Sequence, residues 1–143
     1  MARKRTGSVR GISGNPQEGT RVKKTRTFDL GDYPLTILDP PVPVAIVENV
    51  TVKLVQMANG NEFAFASMKK TSYQYYTIEL DQATFSFRNS KGKLIHKWKL
   101  EQEIDIECGM VGRDVSYVEK VSNLFANTKS VTLTTTGGTW AEC

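Results

Sequence analysis

Hydrophobic and polar residues alternate along most of the chain from residue 44 onward, a pattern typical of strands with two different faces. The first alternating segment, 50–55, is followed by Asn59-Gly60, the dipeptide best suited to the positive φ values of a tight hairpin turn. We therefore predict its partner strand at 62–68. A further strand is predicted at 73–80, and turn residues follow at 89–92. These segments together predict an antiparallel sheet.

The longest alternating segment runs from 94 to 108 and predicts a two-sided strand of about 15 residues, or roughly 50 Å. Its apolar parity includes Trp98, Leu100 and Ile104. Strands in compact domains usually contain about 5 to 6 residues. The predicted strand therefore either bends midway or belongs to a sheet larger than one chain supplies.

The hydrophobic period changes after residue 112 from about two to about 3.6, the period of a helix. Ser116 and Glu119 fit a capping box, in which each side chain satisfies a free backbone donor of the first helical turn. The pattern predicts an amphipathic helix over 114–127. Its apolar stripe consists of Val118, Val121 and Phe125. The stripe alone does not decide whether the helix packs on its own sheet or on that of a partner.

Two further segments are predicted to be extended. Prolines at 34, 40, 41 and 43 disfavour both a helix and a central strand, so we expect only an edge strand at 33–38. The tail at 129–140 is rich in β-branched threonine and contains Gly137-Gly138, which favours strand or extended chain over helix.

Charge is concentrated at the N-terminus. Residues 1–26 hold eight basic side chains against Glu18 alone, a formal charge of +7, while the remaining 11 basic and 14 acidic residues give −3, so that the whole chain carries +4. This stretch has too few apolar residues to offset the entropy of ordering it. We predict a flexible basic arm at 1–26 and a single domain at 27–143.

The arm is predicted to bind nucleic acid, because each lysine or arginine that meets a phosphate releases condensed counterions. A solubilising tail is the alternative. The basic residues of the arm are Arg3, Lys4, Arg5, Arg10, Arg21, Lys23, Lys24 and Arg26.

Composition excludes several classes of protein. The chain has 143 residues, of which 39% are hydrophobic and 24% charged, and no apolar run approaches the ~20 residues of a membrane helix. We expect a soluble globular protein of intracellular origin, since no apolar segment follows the basic start. With one histidine and two distant cysteines, Cys108 and Cys143, we expect neither a zinc site nor a disulfide framework, and no cofactor. No set of nucleophile, base and orienting group is present, so an enzyme is not expected.

Three groups of side chains were weighed as candidate sites. His96 lies on the apolar parity between Leu94 and Trp98, which favours a core or interface residue over a catalytic base. The carboxylates of the 101–107 segment suit either a divalent cation or a solvated face, and we favour the solvated face. Cations and stackable rings on predicted sheet faces suit single-stranded nucleic acid, with ordinary surface as the alternative. They are Lys53, Lys97, Lys99, Tyr73 and Tyr75.

The order of elements after residue 62 resembles the coat proteins of single-stranded RNA bacteriophages. The resemblance is carried by a strand at 76–80, the loop at 89–92, the long strand ending at 103–106 and the helix at 114–127. It implies an α+β fold, with an antiparallel sheet continued across a dimer and a C-terminal helix packed across the partner chain. It also implies dimers that assemble into an icosahedral shell in the host cytoplasm and package genomic single-stranded RNA.

In this interpretation the protein is a virion capsid protein whose partners are copies of itself and RNA, with no membrane and no small-molecule substrate. RNA contacts are expected at Tyr75, Lys97 and Lys99, besides the arm and Lys53. The dimer interface is expected at Trp98, Leu100, Ile104, Val118, Val121 and Phe125. The alternatives are a non-viral module that binds single-stranded nucleic acid and a jelly-roll capsid protein with a basic arm.

Overall fold

A computed structural model describes residues 21–37, 42–73, 75–80, 82–100, 104–136 and 139–143. These residues form ten strands and no helix. The strands are β1 (Val22–Ile37), β2 (Val42–Met57), β3 (Glu62–Ser72), β4 (Tyr76–Leu80), β5 (Gln82–Arg88), β6 (Leu94–Leu100), β7 (Ile104–Ile106), β8 (Arg113–Val121), β9 (Ser130–Thr136) and β10 (Thr139–Glu142).

The strands form three antiparallel sheets. The four-stranded sheet has the order β1-β2-β3-β8, and the two three-stranded sheets have the orders β9-β5-β6 and β10-β4-β7. The two three-stranded sheets share three stretches of chain. Each stretch, β4–β5, β6–β7 or β9–β10, contributes one strand to each of the two sheets. One hydrophobic core lies between the four-stranded sheet and the other two sheets. Its largest fully buried side chains include Phe85 and Phe87 of β5, Leu54 of β2 and Ile104 of β7.

The predicted α+β fold is wrong, since the segment expected to form the helix is strand β8 followed by turns. Val115 and Tyr117 pack against the core while Ser116 and Val118 point outward, so the segment also satisfies a period of two. Antiparallel pairing with β3 from residue 113 to residue 121 supplies the backbone partners that a helix would have provided internally. Tertiary pairing therefore overrides the local helical signal. The helix that the phage-coat resemblance required is absent from the residues that the structure describes.

Beyond β8 the chain turns back toward β9. Glu62 Oε1 accepts hydrogen bonds from the backbone N–H groups of Leu124 and Phe125, each at 2.9 Å. Asn123 has a φ of 60°, a left-handed conformation that asparagine tolerates. These contacts hold Leu124 in the core, and the residues after β8, which were predicted to continue the helix, form turns.

The long strand predicted at 94–108 is two strands in two different sheets, β6 and β7, with 101–103 outside the described residues. Its parity is confirmed, because Trp98, Leu100 and Ile104 are buried while Lys97 and Lys99 are exposed. The alternation is produced by the packing of β6 and β7 on the chain's own core.

Both predicted hairpin turns are confirmed. Gly60, at the β2–β3 turn, has a φ of 92°, a conformation that disfavours any residue with a Cβ atom. At the β5–β6 turn the side chain of Asn89 accepts hydrogen bonds from the backbone of Lys91 and Lys93. The tail is also extended as predicted, and forms β9 and β10. The edge strand expected at 33–38 is part of β1, which lies at the edge of its sheet.

Cys108 and Cys143 form a disulfide, contrary to the expectation from their distance in the sequence. Cys108 follows β7 and Cys143 follows β10, and these strands flank β4, which brings the Cα atoms within 6.5 Å although the residues are 35 positions apart. In the described part of the chain no helix has the length and apolar character needed to span a membrane.

Candidate nucleic-acid interface

The outer face of the four-stranded sheet carries exposed apolar side chains. Along β3, Ala64 and Ala66 point into the core, so Phe63 and Phe65 point away from it. Phe65 is 42% exposed and Val118 on β8 is 59% exposed. Exposed large apolar groups that lie together on one face indicate a binding surface more often than scattered ones do.

The register of the strands places one lysine and one valine opposite each of the two rings. Phe65 lies opposite Lys53 on one side and Val118 on the other. Phe63 lies opposite Val55 and Lys120 in the same way. The ring centroids of Phe63 and Phe65 are 6.5 Å apart, with the ring planes tilted by 44°. We call Phe63, Phe65, Val118, Lys53 and Lys120 the aromatic platform.

A shallow, mostly apolar cleft of about 660 Å³ crosses the platform and reaches Val22 at the start of β1. A second cleft of about 690 Å³ lies between β6 and β8 and is lined by Lys97 and Lys99. Both clefts are bordered by Ser116 and Val118, so they adjoin each other at the edge strand β8. Lys97 and Lys99 border the second cleft from β6, but they alternate with the buried Trp98 and Leu100 and therefore point outward from the sheet opposite the platform.

Positive charge dominates this surface. Glu119 is the carboxylate that lines the second cleft, and it contacts His96 at 3.1 Å. Lys53, Lys97, Lys99 and Lys120 are all exposed to solvent.

Tyr117 forms the floor of the second cleft beside Trp98. Burial raises the pKa of its hydroxyl, since the phenolate would lose hydration there. The ring is therefore neutral at physiological pH and adds no negative charge to the lysine-lined cleft.

The chain matches no protein-family model, no curated protein and no solved structure. The interface is therefore interpreted from its own residues.

The remaining predicted RNA contacts have different positions. Arg21, Lys23 and Lys24 are exposed at the start of β1, whereas Arg26 stacks on Phe28 and Phe125. Tyr75 is 68% exposed but belongs to the β3–β4 connection and lines neither cleft. The predictions for Arg3, Lys4, Arg5 and Arg10 lie outside the described residues, as does the part of the predicted arm over residues 1–20. The rest of the arm predicted at 1–26 is not a free segment, because 22–26 form the beginning of β1.

Most residues expected at a dimer interface lie in the core of the same chain. Trp98, Leu100, Ile104 and Val121 are at most 5% exposed. Phe125 is half-buried beside Arg26, and only Val118 of this set is substantially exposed. These side chains are occupied by intramolecular packing.

The cation site considered at 101–107 is not formed by the residues described there. Asp105 and Glu107 are exposed, while Glu101 and Glu103 lie outside the described residues. No group of three or more potential metal ligands occurs in the described part of the chain.

Sequence reasoning missed Phe63 and Phe65 as candidate ligand contacts. The segment 62–68 is apolar on both faces, and large rings opposite alanines are normally assigned to the core. Counting back from the Asn59-Gly60 turn does not recover their position, because it pairs Phe65 with Leu54 where the observed partner is Lys53, and a shift of one residue reverses the face.

Proposed function

We propose that this protein binds single-stranded nucleic acid on the aromatic platform. The observation that carries the proposal is the position of Phe65, exposed between Lys53 and Val118 and beside Phe63. Unpaired bases stack on aromatic rings, and neighbouring cations contact the phosphates. A nucleic-acid strand that continued around the protein past the edge strand β8 would meet Lys97 and Lys99.

The spacing of the rings favours an unstacked strand. Their centroids are 6.5 Å apart, about twice the ~3.4 Å rise per nucleotide of a stacked strand. Bases held on Phe63 and Phe65 would therefore be splayed rather than stacked on each other. A duplex cannot present its bases to the rings in this way, so single strands are expected to bind more tightly than duplexes of the same length.

The proposal is tested by fluorescence anisotropy with a labelled single strand of about 20 nucleotides at roughly 0.15 M salt, where nonspecific attraction is partly screened. Phe65→Ala is expected to weaken binding by about 5- to 150-fold, which corresponds to the ~1–3 kcal/mol of one base–ring stack. Tyr75→Ala removes a more exposed ring outside the platform and should leave affinity unchanged. Equal affinities of the wild-type and Phe65→Ala proteins would overturn the proposal.

Lysine variants test the phosphate path separately. Lys53→Gln and Lys97→Gln should each reduce the slope of log affinity against log salt by about 0.7, the value expected per phosphate contact in a single strand. If neither variant changed this slope, neither lysine would contact a phosphate of the bound strand.

A coat protein that packages single-stranded RNA inside a shell of its own copies is a second candidate. It is supported by the charge of +7 on residues 1–26 in front of a domain with −3. Size-exclusion chromatography and electron microscopy of the purified full-length protein, with absorbance at 260 nm, distinguish the two. Large particles containing RNA would support the coat protein, whereas small RNA-free species would support the binding module.

A further inference from the structure

A separate cleft of about 740 Å³ lies between the β5–β6 turn and the connection from β8 to β9. We call it the hairpin cleft. Its cations come from three distant parts of the chain, Arg26 on β1, Lys91 in the β5–β6 turn and Lys129 before β9. No carboxylate of the described residues lines it. The volume falls within the range of about 300–1,000 Å³ that is usual for small-molecule sites.

Arg26 is held in place within this cleft. Its guanidinium carbon lies 5.1 Å from the centroid of Phe28 and 5.9 Å from that of Phe125. The group also donates a hydrogen bond to the backbone oxygen of Phe125. A guanidinium has five N–H donors, so most of them remain for a ligand. Fixing the side chain in advance lowers the entropy cost of binding.

Thr128 supplies a second, independent indication of a ligand. The residue is 2% exposed and lines the hairpin cleft, yet its hydroxyl has no hydrogen-bond partner among the described residues. A buried hydroxyl without a partner is unfavourable, and native structures rarely keep one without a compensating role. The hydroxyl oxygen is closed to solvent, so an oxygen of a bound ligand would satisfy it only if the side chain turned toward the cleft.

We propose that the hairpin cleft binds a phosphate group. Three cations with no carboxylate among the described lining residues complement the negative charge of a phosphate. The planar guanidinium of Arg26 can donate hydrogen bonds to two phosphate oxygens at once. The Thr128 hydroxyl, once turned toward the cleft, would donate to a further oxygen. The phosphate is either that of a small metabolite, such as a nucleotide, or the terminal phosphate of a nucleic-acid strand. This site shares no residue with the aromatic platform and does not depend on it.

Isothermal titration calorimetry of the full chain with inorganic phosphate, with adenosine monophosphate, and with a short oligonucleotide carrying either a 5′-phosphate or a 5′-hydroxyl tests the proposal. Binding of inorganic phosphate is expected, and the organic probe that binds more tightly identifies the source. Preference for the 5′-phosphorylated strand over its 5′-hydroxyl form indicates a nucleic-acid end. No binding of any phosphate probe at up to about 10 mM would overturn the proposal.

Variants then locate the site. Lys91→Gln and Thr128→Val are each expected to weaken phosphate binding by about tenfold, because each removes one contact to a charged ligand. Lys93→Gln is the matched control, since Lys93 belongs to the same turn and does not line the cleft. Thr128→Val keeps the side-chain volume and should not lower the melting temperature. Equal phosphate affinity in Lys91→Gln, Thr128→Val and wild type would overturn the assignment.

The platform variant keeps the two proposals distinguishable. Phe65→Ala should bind inorganic phosphate as the wild type does. If Phe65→Ala failed to bind inorganic phosphate, phosphate binding in the hairpin cleft would depend on the aromatic platform, contrary to the proposal.

Discussion

His96 Nε2 lies 3.1 Å from Glu119 Oε2, and this contact joins the edges of two sheets. His96 is on β6, at the edge of one three-stranded sheet, and Glu119 is on β8, at the edge of the four-stranded sheet. The imidazole ring also lies 5.6 Å from the ring of Phe87 in the core. The pair therefore holds the side of the sandwich on which Lys97 and Lys99 lie beside Val118.

A double-mutant cycle with His96→Ala and Glu119→Ala should give a coupling free energy of about 0.5–1 kcal/mol, since the side chains are 33% and 35% exposed and solvent screens the pair only in part. Urea unfolding of the four proteins measures it. The cycle for Lys69 and Asp114, whose side chains are 43% and 78% exposed, is the control and should give a smaller coupling. A larger coupling free energy for Lys69 and Asp114 would show that the contact between His96 and Glu119 does not hold the two sheet edges together.

Phe85→Ala should cost about 3–5 kcal/mol of the free energy of unfolding, because Phe85 is fully buried and its ring lies 5.4 Å from that of Trp98. Phe65→Ala should cost less than about 1 kcal/mol, because the ring is 42% exposed. Urea titrations of both variants provide the comparison. If Phe65→Ala were as destabilising as Phe85→Ala, the ring would be a structural element and not a free stacking surface.

The sequence predicted most strands correctly, but it predicted a helix over 114–127, where the structure has strand β8 followed by turns. Turn chemistry at Asn59-Gly60 and alternation around Trp98 are local properties, and the structure confirms both. The segment 113–121 satisfied periods of both two and 3.6, and only its pairing with β3 decided between them. Pairing between strands about 50 residues apart is not encoded in a local pattern. The disulfide was missed for the same reason, since it depends on which strands flank β4.

The candidate site was predictable only in part. Lys53, Lys97 and Lys99 were identified from charge and parity, and the structure places Lys53 on the platform and the other two in the adjoining cleft beyond β8. Phe65 was missed because a ring on a strand that is apolar on both faces is normally assigned to the core. Arg26 was assigned to a flexible arm, whereas the structure fixes it on Phe28. Its position depends on the turn after β8, which the predicted helix replaced.

Removing the disulfide should lower the free energy of unfolding by about 2–4 kcal/mol, because the cross-link limits the entropy of the unfolded chain. The bridge joins residues 35 positions apart and ties the last strand, β10, to the end of β7. Urea unfolding with and without a thiol reductant measures the change. The double variant Cys108→Ser, Cys143→Ser is the control, and its stability should not respond to the reductant. Identical stability of the wild type with and without reductant would show that the bridge does not constrain the fold.

Lys70 should make stability depend on alkaline pH. The side chain points into the protein from β3, is 8% exposed, and donates from Nζ to the backbone oxygen of Asp105 at 2.7 Å. Burial lowers its pKa below the ordinary value of 10.5; the carboxylates of Asp105 and Glu107 partly oppose this, and Arg113 adds to it. Burying the charged ammonium is thus unfavourable.

Between the lowered pKa of the folded protein and 10.5, the unfolded chain binds more protons at Lys70 than the folded protein, so the free energy of unfolding rises with pH. Below the lowered pKa both states are charged, and the full cost of burial remains. The stability of wild type minus that of Lys70→Met should therefore increase as pH rises toward 10.5, as measured by urea titration at a series of pH values. Tyr117, whose pKa is raised, acts in the opposite direction, but it is present in both proteins and cancels in the difference.

Lys69→Met removes the neighbouring lysine from the opposite face of the same strand and is the control for loss of a positive charge. The same pH dependence in both variants would show that it comes from net charge and not from the burial of Lys70.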